Sequence, residues 1–492
     1  MAVPIDSLDA FTRKLECYVK NLQQGGEPDL ELLQTMEGIT SLFREQLYRE
    51  MAEENIFQSL LQFLSKAIHE IELASKCSCK HLDAWLQFTA ECFRCQRNAC
   101  VNCSKNQGIM SYLIIGILCD RNLGLIDVSV CLIWILHGMN IDQQSSLAAF
   151  RSGLQYLGNM AAGNSESRNS IWKCTFPDFF LTCLNHFDEK VVTYGAMVFF
   201  TCLDVEKMIE LQDAKNSHVA QSVVNAYMKL PESEWLFLTI TSHFLKCPEL
   251  VEDIYAKLSN QERITLLDAI LAKISEKDPV NSEEALIPLK LVEFLASCFQ
   301  ETCKDVLKLA SGTSTDEESL IVIRLLDVLC EMTCNTKHLE CLQNCPVLLE
   351  TVIDILRLTQ FAGKQNKNVF TASHSVSEIE EVTHPAVGFK AHLIRLIANL
   401  CYKHEDNQEK VFHLDGIPLI LDNCSIDDNN PFLNQWAVYA IRNLTEQNEK
   451  NQEVIANMER QGLADYSVLK NMGLQVEEHD GKLLLKSLKK EF

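Results

Sequence analysis

Glycine and proline are scarce in this chain, 18 and 11 among 492 residues. Few positions therefore force a turn or break a helix, and a collagen-like or Pro-rich disordered chain is excluded. Strand-like alternation is nearly absent as well. Positive charge is in deficit: 44 Lys and Arg stand against 67 Asp and Glu, a formal net charge of −23. A nucleic-acid surface needs surplus Lys and Arg to displace phosphate counterions. Attachment to anionic lipid needs the same surplus. Neither partner is expected, and a basic protein partner fits the charge better. Long apolar runs are missing too. The most apolar stretches, Tyr112–Cys119 and Val128–Met139, fall short of the ~20 residues a bilayer-spanning helix needs. They read as buried core helices. Met1–Ala10 carries neither a positive n-region nor a long apolar h-region, so no signal peptide is expected.

Cysteine is plentiful in number, at 21, but thin in density for a chain of 492 residues. Small disulfide-stapled domains carry more per residue, and the count is odd. A reducing cytosol is expected, with cysteine acting mainly as a small buried hydrophobe. Cys92, Cys95, Cys100 and Cys103 form two C-x-x-C pairs, which raises a zinc or redox site as one reading. If residues 88–103 are one helix, Cys92 and Cys103 lie about 16 Å apart at ~1.5 Å per residue. That is too far for a shared metal with bonds of ~2.3 Å. Packing on one helix face is the competing reading, and no metal or cofactor is expected. Cys77-Ser-Cys79-Lys-His81 is a further metal candidate, weighed and set below core or loop use. No G-x-S-x-G, P-loop, H-E-x-x-H or G-x-G-x-x-G is found, so the chain is not expected to be an enzyme.

Hydrophobic residues make up 47%, enough for an extensive core. Apolar positions recur at three- and four-residue spacing, which predicts helix throughout. In Ala391–Tyr402, Leu393, Ile394, Ile397, Leu400 and Cys401 share one side, while Lys390 and Arg395 can reach water. The tail Leu474–Leu488 alternates, and its Asp480-Gly481 pair suits a small hairpin.

The chain repeats internally. Asn98, Asn399 and Asn443 are each followed eight residues later by an Asn-Gln pair, at 106–107, 407–408 and 451–452. Asn399 and Asn443 lie 44 residues apart, close to a helical-repeat period. Ile323–Cys330 echoes Ile394–Cys401, and Asn335 with Pro346 echoes Asn407 with Pro418. The excess spacing nearly matches the polar stretch 363–388, which reads as a loop inserted within a repeat. Asn159 marks a looser copy. In Asp415-Gly416-Ile417-Pro418, Gly416 is expected to end one helix in the left-handed conformation. Pro418 then enters the first turn of the next helix. Asn430 before Pro431 is a candidate N-cap.

The run Leu396–Leu421, with its N-L, N-Q and G-I-P elements, resembles an armadillo repeat. The block Gly388–Asp465, with Glu91–Cys100, Pro231–Trp235 and Ile323–Met332, resembles the ataxin-10 family, over roughly residues 40–490. The expected fold is all-α: a right-handed α-α superhelix, an armadillo-repeat solenoid of about eight to ten units at the usual repeat length. Residues 1–40 are expected as a helical cap. Residues 41–462 are expected as the array with the loop at 363–388, and residues 463–492 as a C-terminal cap with the hairpin.

In armadillo proteins the position of Asn98, Asn159, Asn399 and Asn443 lines a groove, where an amide can both donate to and accept from a partner's backbone. The alternative is that each Asn satisfies the protein's own backbone. Arg97, Arg395 and Arg442 would add anion-binding capacity, or else pair with nearby acids. Arg94, Gln155, Arg395 and Tyr439 stand where importin-α-like repeats carry Trp, which disfavours a nuclear-import adaptor. The hydroxyl-rich loops 311–319 and 371–377 suit phosphorylation.

The function implied is a non-catalytic protein-interaction scaffold. The family resemblance implies roles in cytokinesis, neuron survival and neurite outgrowth through Ras–MAP kinase signalling. It implies a G-protein β subunit, an O-GlcNAc transferase and ciliary or centrosomal proteins as partners, and leaves homo-oligomers open. It also implies a cytoplasmic, perinuclear location, with midbody and centrosome or cilium base as further sites. An alternative from another class is an armadillo-type exchange factor or chaperone that stabilises a nucleotide-free GTPase.

Overall fold

The computed structural model describes residues 6–23, 26–76, 81–118, 121–139, 144–276, 287–311, 316–345, 347–365, 369–370, 384–424, 427, 429–458, 474–479 and 482–487. The chain divides into two compact units, residues 1–265 and 266–492.

In the first unit the helices Leu30–Leu42, Leu82–Cys100, Gln144–Ala161 and Glu189–Cys202 pack one on the next. In the second unit Glu317–Met332, Phe389–Leu400 and Leu433–Thr445 do the same. These are the third helices of successive repeats. A short link and a shorter first helix follow several of them: Ser104–Tyr112, Ser165–Thr175, Glu405–His413 and Glu449–Ala456. Each of these links holds one left-handed residue: Asn102 (φ 48°), Gly163 (78°), Lys403 (50°) or Gln447 (56°). After three of these links a side chain caps the next helix. Asn164 and Asn448 accept through Oδ1 from the backbone N–H of Ser167 and Asn451. His404 Nδ1 accepts from Asn407 N–H. One such repeat buries little by itself, so the apolar faces must cover one another. Leu393, Ile394, Ile397, Leu400 and Cys401 are all buried, as their spacing predicts, and Leu396 is buried with them.

Several expectations are corrected. Tyr112–Cys119 is not helical. Tyr112 ends a helix, and Ile114–Leu118 is a strand paired antiparallel with Arg121–Gly124. Three β-branched residues around Gly116 make that run a poor helix. Val128–Met139 falls largely in the buried helix Leu125–Gly138.

Gly416 does not end the preceding helix. Asp415 takes the left-handed conformation (φ 52°), and Gly416 opens the helix Gly416–Leu421. A Cβ on Gly416 would sit 2.6 Å from Val411 Cγ1, so close packing is what requires glycine there. Asn430 is not an N-cap. Its Oδ1 accepts from Lys390 N–H, and its Nδ2 donates to Phe370 O and Asp427 Oδ2. Lys390 does not reach water: its Nζ lies 2.9 Å from Asp427 Oδ2, both side chains being about 5% exposed or less.

Leu474–His479 and Lys482–Ser487 pair antiparallel, with Leu474 opposite Ser487 and His479 opposite Lys482. Cys77, Cys79, the hydroxyl-rich stretch 371–377 and most of the loop at 363–388 lie outside the described residues. Among the described residues no helix is long and apolar enough to cross a membrane.

Candidate binding surface

The repeated Asn residues form an interhelical ladder. Asn98 Nδ2 donates to Thr40 O at 3.0 Å, and Asn159 Nδ2 to Arg97 O at 3.1 Å. Asn443 Nδ2 donates to Ala398 O at 2.8 Å. Each bond runs from one third helix to the preceding third helix, and in the last two the acceptor immediately precedes that helix's own repeat Asn. Asn399 reaches the Thr333 hydroxyl instead, at 2.7 Å. Asn443 is buried, while Asn98, Asn159 and Asn399 are half-buried.

The Asn-Gln pairs do the complementary work. Asn106, Asn407 and Asn451 each donate to the carbonyl seven residues earlier, that of Ala99, Leu400 or Leu444. The same amides donate to a carbonyl of the preceding repeat, that of Arg49, Gln343 or Gln408. Gln107 Nε2 donates to Cys100 O and then forward to Asn159 O and Ala162 O. Gln408 Nε2 matches it with Cys401 O and Asn443 O. Carbonyls at a helix C-terminus have no partner within the helix, and these side chains supply one across the repeat boundary. Gln343 plays the same part toward Leu400 O and Tyr402 O. Asn335 does not. It caps the helix Thr336–Gln343 by accepting from Lys337 and His338 N–H.

The arginines divide by partner. Arg395 Nη1 lies 2.8 Å from Glu331 Oε1, and its guanidinium sits 5.3 Å from the centre of the Trp436 ring. Trp436 meets Tyr439 edge-on at 5.9 Å. Arg442 is exposed on the same helix. Arg97 donates to Gln155 Oε1 at 2.6 Å and to Asn98 Oδ1 at 3.1–3.2 Å. The third-helix face therefore presents Arg, Trp, Tyr and amide side chains, with a hydrogen-bonded backbone behind them.

Cys92, Cys95, Cys100 and Cys103 are all buried. Burial pushes the thiols of Cys92, Cys95 and Cys100 up, which favours the neutral form over the thiolate that metals and electrophiles need. Among the described residues no three His, Cys, Asp or Glu side chains converge to hold a metal ion.

Successive three-helix repeats, linked through Asn and Gln side chains, define an armadillo-type helical-repeat protein. The family model described as the spinocerebellar ataxia type 10 protein domain matches residues 389–486. Ataxin-10 of Xenopus tropicalis is 55% identical over 497 residues, covering 100% of this chain and 99% of that protein. Ataxin-10 of Homo sapiens is 51% identical, covering 92% and 94%. The chain belongs to the ataxin-10 family. A solved chain from the SYS-1/POP-1 complex is 12% identical with a TM-score of 0.39, covering 88% of this chain and 75% of that one. A likeness that low adds nothing to the fold read from the helices.

Proposed function

We propose that the chain is a non-catalytic interaction scaffold and that its third-helix face receives segments of partner proteins. The observation that carries this reading is the stripe of Arg395, Trp436, Tyr439 and Arg442. Each of these side chains is partly or fully open to solvent, on helices fixed by the Asn and Gln bonds. Trp, Tyr and Arg are the side chains that dominate protein interfaces, and a backbone already ordered loses little entropy on binding. Family membership supports the same reading. It also supports, as proposals, the roles in cytokinesis and neurite outgrowth, the G-protein β subunit, O-GlcNAc transferase and centrosomal partners, and the cytoplasmic location.

The test is capture of partners from cell extract by the full chain, compared with Tyr439→Ala and Arg442→Glu. Both variants are first checked for unchanged melting. Loss of at least one specific partner is expected. Capture of every partner in unchanged amount by both variants would remove the third-helix face from the reading.

A further inference from the structure

On the third-helix face of the first unit, Arg97 has a setting unlike that of the ion-paired arginines on other third helices of the chain. Arg151 is paired with Asp188, Arg324 with Asp268 and Asp327, and Arg395 with Glu331. Arg97 is half-buried, yet its described acceptors are the amide oxygens of Gln155 and Asn98. Among the described residues no carboxylate lies within ion-pair distance of it. Amide oxygens orient a guanidinium without neutralising it.

Two further arginines add to the positive charge. Arg94 lies one helical turn before Arg97, so the two share a face. One nitrogen of Arg94 meets Glu91 at 2.9 Å, and its side chain stays 42% exposed. Arg44, just past the helix Leu30–Leu42, is exposed. Burial, then the charge of Arg94, and more weakly that of Arg44, lower the pKa of Arg97, while Glu91 and the Tyr194 phenol oppose them. In a chain of net charge −23, a desolvated guanidinium with cationic neighbours and no acid of its own is held at a cost. An anionic ligand would offset that cost.

We infer that this face binds an extended, Asp- and Glu-rich segment of a partner protein, with Arg97 as the central contact and Arg94 and Arg44 beside it. The inference rests on the scaffold reading and specifies the chemistry of one partner. Guanidinium groups take carboxylates in a planar, bidentate fashion. Gln155 already fixes the plane of Arg97, so little freedom is lost on contact. The strongly acidic total charge opposes a long polyphosphate chain, and a peptide with a few carboxylates meets less of that repulsion.

The experiment is fluorescence anisotropy on the full chain. The probe is a labelled peptide of alternating Glu and Ser, with a Gln-and-Ser peptide and a single-stranded oligonucleotide as comparisons. Binding of the Glu peptide alone is expected, weakening with salt. Arg97→Gln is expected to weaken it about tenfold, and Arg97→Lys less, because charge remains but the fork is lost. Arg94→Gln is a second variant that leaves the Arg97–Gln155 bond in place, and it too is expected to weaken binding. The inference is overturned by equal binding of the Glu and Gln peptides, by unchanged affinity in both Gln variants, or by an oligonucleotide that binds as tightly as the peptide. If the Glu peptide fails while Tyr439→Ala still loses a partner, only the acidic-segment inference falls. If neither effect is seen, the scaffold reading falls with it.

Discussion

The side chain of Gln408 donates to the carbonyl of Asn443, 2.8 Å away on the third helix of its own repeat. Its Nε2 also lies 3.3 Å from Cys401 O, at the end of the third helix of the preceding repeat. Gln408 thus occupies the carbonyls of two third helices at once, from a buried position. Gln408→Ala leaves both without that donor. A buried acceptor stripped of its partner costs about 1–3 kcal/mol. A loss of that size is expected in urea unfolding followed by circular dichroism. A change below a few tenths of a kcal/mol would show that water replaces the amide freely.

Lys390 and Asp427 form a buried ion pair at 2.9 Å, and Asn430 donates to the same carboxylate oxygen of Asp427 at 3.0 Å. Removing one member of such a pair strands the other charge, at about 3–5 kcal/mol. Lys390→Met is therefore expected to lower the melting temperature far more than Lys410→Met, whose surface partner is Glu350. Equal effects would mean that Asp427 finds another cation or takes up a proton without strain.

The left-handed links make a paired prediction. A Cβ on Gly163 would meet nothing within 4 Å, so Gly163→Ala isolates the backbone cost of φ 78°. About 1–2 kcal/mol of destabilisation is expected. Gln447 stands at φ 56° in the corresponding link, so Gln447→Gly is expected to be neutral or slightly stabilising. Thermal melts of the two variants should move in opposite directions or differ clearly in size.

The His137 and His186 rings meet at a tilt, 5.9 Å between centres, and burial lowers the pKa of each below the usual 6.5. The unfolded chain then binds protons that the folded chain resists. Stability is full above about pH 6.5 and falls as the pH drops toward the lowered folded values. His186 Nδ1 accepts from Asp188 N–H, a bond that needs that nitrogen unprotonated. His186→Asn should flatten the pH dependence of unfolding between about pH 5 and 7. An unchanged slope would assign it to other groups.

The repeat was legible because it is written in local spacing. The eight-residue step from Asn to Asn-Gln, the period near Asn399 and Asn443, and the apolar stripe of Ala391–Tyr402 all report on one helix and its neighbour. What escaped depends on partners far along the chain. Lys390 looked solvent-facing on its own helix, but Asp427 lies across the next repeat and buries it. Asn430 beside a proline looked like a cap, while its bonds go to Phe370 and Lys390. Gly416 looked like a helix stop because glycine favours positive φ; Asp415 takes that conformation, and glycine is needed for the space beside Val411. The repeated Asn residues recur on successive third helices, but two uses of an amide have the same spacing. The direction of the bond, to the preceding third helix, becomes visible only in three dimensions.

On the third-helix face Asn and Gln hold successive repeats together, and the arginine and aromatic side chains are proposed to meet partners. Amide hydrogen exchange combined with partner capture, on Gln408→Ala and on Tyr439→Ala, tests that division directly. Gln408→Ala is expected to lose protection in the helices Phe389–Leu400 and Leu433–Thr445. Tyr439→Ala is expected to keep that protection and lose a partner. The reverse pattern, with protection intact in Gln408→Ala and partners retained by Tyr439→Ala, would contradict it.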